Sequence, residues 1–100
     1  MKAGSKAVLT MERTLCMEQN IDKRTYVCEL LAYDIKQAIL VFRLQEQGLE
    51  ELSLDALYQC EIYTEKNITK CVGKIRERYC GSEGKTVKVQ VKNGFYIDKE

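Results

Sequence analysis

Residues Tyr58 to Phe95, YQCEIYTEKNITKCVGKIRERYCGSEGKTVKVQVKNGF, decide the fold. They divide into three runs of alternating character, YQCEIYTE, KCVGKIRERY and KTVKVQVK. In the first, Tyr58, Cys60, Ile62 and Thr64 alternate with Gln59, Glu61, Tyr63 and Glu65. In the third, Val87, Val89 and Val91 alternate with Thr86, Lys88, Gln90 and Lys92. A period of two sends successive side chains to opposite faces, so each run reads as a strand with one side buried and one wet. The middle run fits the same rule, with Cys71, Gly73, Ile75 and Tyr79 on one face. Lys70, Val72, Lys74, Arg76 and Arg78 fall on the other. Three consecutive antiparallel strands are expected.

Charge suggests a register. A four-residue turn at Lys66 to Thr69 would set Glu65 opposite Lys70 and Glu61 opposite Lys74, each pair contributing roughly 0.2–1 kcal/mol. The same register places Cys60 against Ile75 and Ile62 against Gly73 in the interior. Gly81 to Glu83 then turns into the third strand and brings Arg76 opposite Lys88, a repulsive pairing.

Working toward the amino terminus, Ala38 to Leu44 (AILVFRL) reads as a strand apolar on both faces except at Arg43. Tyr26 to Tyr33 (YVCELLAY) reads as another whose alternation is blurred, and Asp34 to Gln37 turns the chain between them. Lys6 to Met17 favours a first strand in which Leu9, Met11, Leu15 and Met17 share a face with Arg13. Its Met, Glu and Leu content leaves a helix open there. Gln45 to Leu57 breaks the strand pattern and reads as a loop with at most one helical turn.

About six short strands with frequent turn signals favour a small antiparallel barrel in a single all-β domain spanning residues 1–100. Gly73 agrees with closure, because a glycine inside a strand marks a bend or a close approach. The chain contains no proline. Protection of sheet edges therefore falls to charge or to barrel closure.

The formal net charge of +1 gives no global attraction to nucleic acid or to an acidic membrane. Charge is uneven locally. Glu46 to Glu65 holds six acids and no base, and Thr69 to Lys92 holds seven bases and two acids. No apolar run is long enough to span a bilayer, the longest being Ala38 to Phe42. Lys2 to Lys6 leads into no signal-like segment, so a cytoplasmic protein is expected. The sequon Asn67-Ile68-Thr69 is then a chance match.

Catalytic chemistry is poorly provided for. The chain has no histidine, the side chain best suited to proton transfer near neutral pH and the usual partner of a cysteine nucleophile. No phosphate-cradling glycine motif is present, and Ser5, Ser53 and Ser82 fall in expected loops. Cys16, Cys28, Cys60, Cys71 and Cys80 contain no C-x-x-C pair and match no zinc spacing. They read as small hydrophobes in or beside the core, not as a metal or redox centre. Neither enzyme activity nor a cofactor is expected.

The one candidate binding feature is basic. With Lys70 and Lys74 matched to glutamates, Arg76, Arg78, Lys88 and Lys92 remain as a cluster on one strand face. A polyanion such as nucleic acid is the ligand class this would suit, although Tyr63 is the only aromatic on the neighbouring face and single-strand binders stack bases on several.

The order of segments GSKAVL (4–9), YVCELLAYD (26–34), AILVFRL (38–44), LSLDALYQCEIYT (52–64), ITKCVGKIRERY (68–79) and GKTVKVQVKNGFY (84–96) resembles the bacterial PilZ family. The nearest likeness is to the barrel that precedes PilZ in flagellar-brake proteins. The resemblance implies a PilZ-like split barrel and a regulatory role. Members that bind cyclic di-GMP carry R-x-x-x-R followed by [DN]-x-S-x-x-G. Here Arg13, Arg24, Arg43, Arg76 and Arg78 include no two that are four apart, and no serine sits in the second motif. The resemblance therefore implies a degenerate or accessory barrel that does not bind cyclic di-GMP and acts by contact with another protein or with itself.

Overall fold

A computed structural model describes residues 2–14, 24–45, 52–82 and 84–98. Its strands are β1 (Lys6–Thr14), β2 (Thr25–Asp34), β3 (Ile39–Leu44), β4 (Ala56–Tyr63), β5 (Ile68–Gly81), β6 (Gly84–Val91) and β7 (Tyr96–Asp98). The first six lie in the order β4-β1-β2-β3-β6-β5, and β5 pairs back onto β4, so the sheet closes into an antiparallel barrel. The all-β, six-strand barrel expected from the alternation is what the chain forms. The strand reading of residues 6–14 holds, while the expected face positions of Leu15 and Met17 lie outside the described residues.

Closing so few strands demands sharp bending, and among the described residues three bulges supply it. One extra residue on one strand of a pair bends that strand and increases its twist. The bulges fall between Met11 and Arg13 in β1, Leu30 and Ala32 in β2, and Ile75 and Glu77 in β5. The blurred alternation of YVCELLAY has this cause. Cys28 and Leu30 point inward, Leu31 is the extra residue, and Tyr33 beyond it packs against the core again with the Phe95 ring edge-on at 5.2 Å.

The interior is filled by side chains. Leu9, Leu30, Leu40, Phe42, Leu52, Tyr58, Ile62, Ile75, Val87 and Val89 are all at most 2% exposed. Each such side chain contributes about 1.5–3 kcal/mol by leaving water. Tyr58 is the one among them with a polar end, and its hydroxyl accepts the Ser53 N–H at 2.8 Å, which satisfies it. Val89 packs where Gly73 has no side chain: a Cβ on Gly73 would stand 2.4 Å from Val89 Cγ1 and 2.8 Å from the Gln90 carbonyl oxygen. That glycine marks a close approach of β6 to β5.

The register between β4 and β5 differs from the one that charge suggested. The turn is Thr64 to Asn67, not Lys66 to Thr69, and Glu61 faces Lys70 while Leu57 faces Lys74. The turn's own hydrogen bonds decide this. Thr64 N–H donates to the Asn67 carbonyl at 2.9 Å, and Asn67 N–H donates to Thr64 Oγ1 at 3.0 Å. These bonds draw the hairpin tighter and start β5 at the β-branched Ile68 and Thr69, which suit a strand. Because the displacement is an even number of residues, every side chain keeps its face. Glu61 still finds a base, Lys70, at 3.5 Å.

The β2–β3 turn is pinned from outside. Asp34 Oδ1 accepts the Gln37 N–H, and Ala38 closes the turn at φ 55°, a left-handed conformation that costs an alanine about 1–2 kcal/mol. Val91 N–H donates to the Ala38 carbonyl at 2.9 Å, and the Gln90 amide donates to both the Gln37 and Ala38 carbonyls. Past Val91, Lys92 N–H donates to the Val72 carbonyl, and β7 then pairs with Ile68 to Lys70. Since β4 holds one edge of those residues, β7 takes the edge that β6 has vacated. This short strand was not expected from the sequence. Among the described residues no helix is long and apolar enough to cross a membrane.

Candidate functional site

The β5–β6 hairpin is where the four candidate bases lie, and the Arg76 bulge decides their arrangement. The sequence placed Arg76 opposite Lys88, but Glu77 holds that position, since Arg76 is the extra residue. Lys88 Nζ lies 3.4 Å from Glu77 Oε2, so an attractive pair stands where repulsion was expected. Arg76 turns along the outer face and donates from Nη1 to Gln90 Oε1 at 2.9 Å. Through Gln90 it supports the strained turn at Ala38.

Beyond the bulge the faces exchange. Arg78 pairs in register with the core residue Val87, and so sits on the inward row at the barrel mouth. There its guanidinium donates to the Leu52 carbonyl at 2.8 Å, tying the segment before β4 to β5. Tyr79, expected inside, pairs with Thr86 on the outer face and is 65% exposed. Lys92 lies past the end of β6, alongside Val72. The structure thus sets Arg76 and Lys88 on one outer surface, turns Arg78 to the mouth, and leaves Lys92 at the far end of the hairpin. The expected single cluster is divided.

What the hairpin presents instead is a mixed surface. Glu77, Tyr79, Thr86 and Lys88 line a shallow cleft of about 300 Å³. The Tyr79 ring lies back over Gly81, where a Cβ would meet ring carbon Cε2 at 2.4 Å. An aromatic ring covering a strand glycine in this way holds its own rotamer without burying its outer face. Next to Thr86 across the ladder, Arg43 pairs with Glu29 at 2.6 Å. One exposed aromatic ring is therefore framed by two ion pairs that are each neutral. The alternation rule missed Tyr79, and no residue type at 75–77 betrays the bulge that exposes it.

A second, wider cleft of about 620 Å³ separates Lys2 to Ser5 from Tyr63 to Asn67. Lys6 Nζ stands 5.6 Å from the centroid of the Tyr63 ring, an attractive cation–π geometry on its border. Glu65 shares the cleft with Lys2 and Lys66, so its charge is mixed as well.

The cysteines divide by environment. Cys28, Cys60 and Cys71 are buried and Cys80 is exposed, and Cys16 lies outside the described residues. Burial pushes the Cys28 thiol up to about 12, well away from a nucleophile's range. Among the described residues no three cysteine or carboxylate side chains converge as a metal site.

Compared with known protein families, with characterised proteins and with solved structures, the chain matches none.

Proposed function

We propose that this domain is a non-enzymatic regulatory module of PilZ-like build, cytoplasmic, which acts by docking another protein and does not bind cyclic di-GMP. The observation that carries the reading is how its bases are used. Lys70, Lys88 and Arg43 are paired with carboxylates, Arg76 with Gln90, and Arg78 with a backbone carbonyl. A polyanion site needs cations that exchange counterions for phosphates, and its affinity follows their number. Bases already engaged within the chain supply little of that term.

Protein surfaces use a different currency: an aromatic anchor framed by polar groups that need no further neutralisation. Tyr79 between the Glu77–Lys88 and Glu29–Arg43 pairs has that composition. Cyclic di-GMP needs guanidinium groups free to grip phosphate and guanine bidentately, a geometry lysine cannot replace. Arg76 and Arg78 diverge from one strand, one to the outer face and one to the mouth.

Cross-linking in extracts of the source cell, with amine-reactive reagent and peptide mapping, tests the proposal. Cross-links to one partner should centre on Lys85 and Lys88 and fall sharply in Tyr79→Ser. In parallel, the purified domain is titrated at low salt with a single-stranded oligonucleotide and with cyclic di-GMP. Saturable oligonucleotide binding that weakens steeply with salt would move the assignment to the polyanion reading. Saturable binding of the dinucleotide tighter than about 10 μM would defeat the claim about the missing motif.

A further inference from the structure

Two of the buried thiols face each other. Cys60 of β4 and Cys71 of β5 are direct partners across the ladder, and both are fully buried. Cys28 of β2 belongs to the same core cluster. Docking at the hairpin surface makes no use of them. Their spacing follows from the backbone. Val72 turns both its carbonyl, which accepts from Lys92, and its N–H, which donates to Asn93 Oδ1, toward the β6 edge. Its neighbour Cys71 therefore turns its own N–H and carbonyl toward β4. Cys60 and Cys71 form a hydrogen-bonded pair, for which Cα atoms lie about 5.5 Å apart, within the span a disulfide bridges.

The two thiols are also unlike. Cys60 Sγ reaches the Tyr58 carbonyl of its own strand at 4.0 Å, and the adjoining Cys71 side chain together with burial holds its proton on. The adjoining Cys60 side chain lowers Cys71, so Cys71 ionises first.

We propose that Cys60 and Cys71 are a peroxide-sensitive dithiol that closes to a cross-strand disulfide inside the barrel. The Cys71 thiolate attacks one oxygen of hydrogen peroxide. An S–O bond forms, the O–O bond breaks, and the leaving hydroxide takes a proton to become water. Cys60 then attacks the sulfur of the Cys71 sulfenic acid. Its proton goes to the departing oxygen, water leaves, and the S–S bond forms. Two thiols lose two electrons, and one peroxide becomes two waters. Both thiols are fully buried, so an oxidant reaches them through local opening of the ladder, and a hydroperoxide of near-water size needs the smallest opening. The product is strained. In a hydrogen-bonded pair the Cβ atoms lie toward the upper end of about 4.5–5.5 Å, and a disulfide draws them to about 3.8 Å, so the two strands must shift together. Such bonds are readily reduced, so the pair resets instead of stapling the barrel permanently.

The test uses the full chain with Cys80→Ser, which removes the exposed thiol. After hydrogen peroxide treatment and alkylation under denaturing conditions, peptide mapping should find the Cys60 and Cys71 peptides joined and short of two hydrogens. Dithiothreitol should separate them. In Cys60→Ser, dimedone should label Cys71 as the sulfenic acid, and in Cys71→Ser it should label Cys60 several-fold more slowly. If the serine variants do not fold, mapping of the wild-type chain decides alone. The proposal is overturned if a peroxide dose that oxidises Cys80 in the wild-type chain leaves both Cys60 and Cys71 alkylatable there and in the Cys80→Ser chain, or if Cys28 is joined to either in place of the pair.

Discussion

The two halves of β5 share one rhythm of sequence and occupy different environments. From Ile68 to Ile75 the strand is flanked by β4 on one edge and by β7 and β6 on the other, and Cys71, Gly73 and Ile75 face the core. From Arg76 to Cys80 every residue is exposed, and among the described residues β6 is the only strand beside it. One bulged residue separates the halves. Before it, alternation predicts which side chains are buried. After it, the same alternation puts an arginine toward the barrel mouth and a tyrosine in solvent. Burial follows the ladder, not the count along the chain.

This contrast breaks most visibly in the inner half. Val89 lies wholly in the core opposite Ile75, so Val89→Asp buries a charge without a partner. The expected cost exceeds about 4 kcal/mol, enough to unfold a domain of this size. Circular dichroism should show no cooperative melt, and a wild-type-like melt would remove Val89 from the core. Gly73→Ala comes next. The added methyl has to displace Val89 and the Gln90 backbone, at about 1–3 kcal/mol by overpacking. Urea midpoints measure the loss, whereas Ala at Gly81, in the outer half, should only dislodge the Tyr79 ring.

The core that the inner half faces, to which Cys28 of β2 belongs, should also reveal itself through alkali. Cys28 keeps its proton up to about 12 when folded, against an ordinary thiol value of 9.0. Below the unfolded value both states hold the proton, and stability is independent of this group. Above it the unfolded chain releases a proton that the native state retains, so stability falls as pH rises from about 9 toward 12. Cys28 alone accounts for about 1.4 kcal/mol per pH unit in that window. Denaturant melts at stepped pH, compared with Cys28→Ala, should lose this slope in the variant.

The smallest effect belongs to the outer half. Glu77 and Lys88 form an exposed pair, and a double-mutant cycle should give a favourable coupling of about 0.2–1 kcal/mol that shrinks with salt. The unbulged register that alternation alone suggests makes the opposite forecast, because relief of an Arg76–Lys88 repulsion would let Lys88→Ala stabilise the fold. A stabilised Lys88→Ala variant would remove the bulge from the account.

How far the candidate surface was legible can be seen residue by residue. Lys88 was found as an exposed base because it alternates with Val87 and Val89. Alternation hides Glu77 as its partner and puts Tyr79 in the core, both because of Arg76. A bulge leaves no residue signature when the extra position can be an ordinary exposed arginine. The Cys60–Cys71 juxtaposition was likewise hidden by a register four residues away, although both cysteines were placed on the buried face.

Fold class and the faces of the core strands follow from the order of residues alone. Period-two alternation and the burial of Ile62, Ile75, Val87 and Val89 are properties of neighbours along the chain and of side-chain hydrophobicity. Which residue meets which across the ladders, where the sheet bends, and which side chains the outer arm shows to solvent emerge once the barrel has closed. Registers that differ by an even number of residues bury the same side chains and are nearly equal in hydrophobic energy. The choice among them falls to turn hydrogen bonds such as Thr64–Asn67, and to the bulges that let six strands close into a barrel.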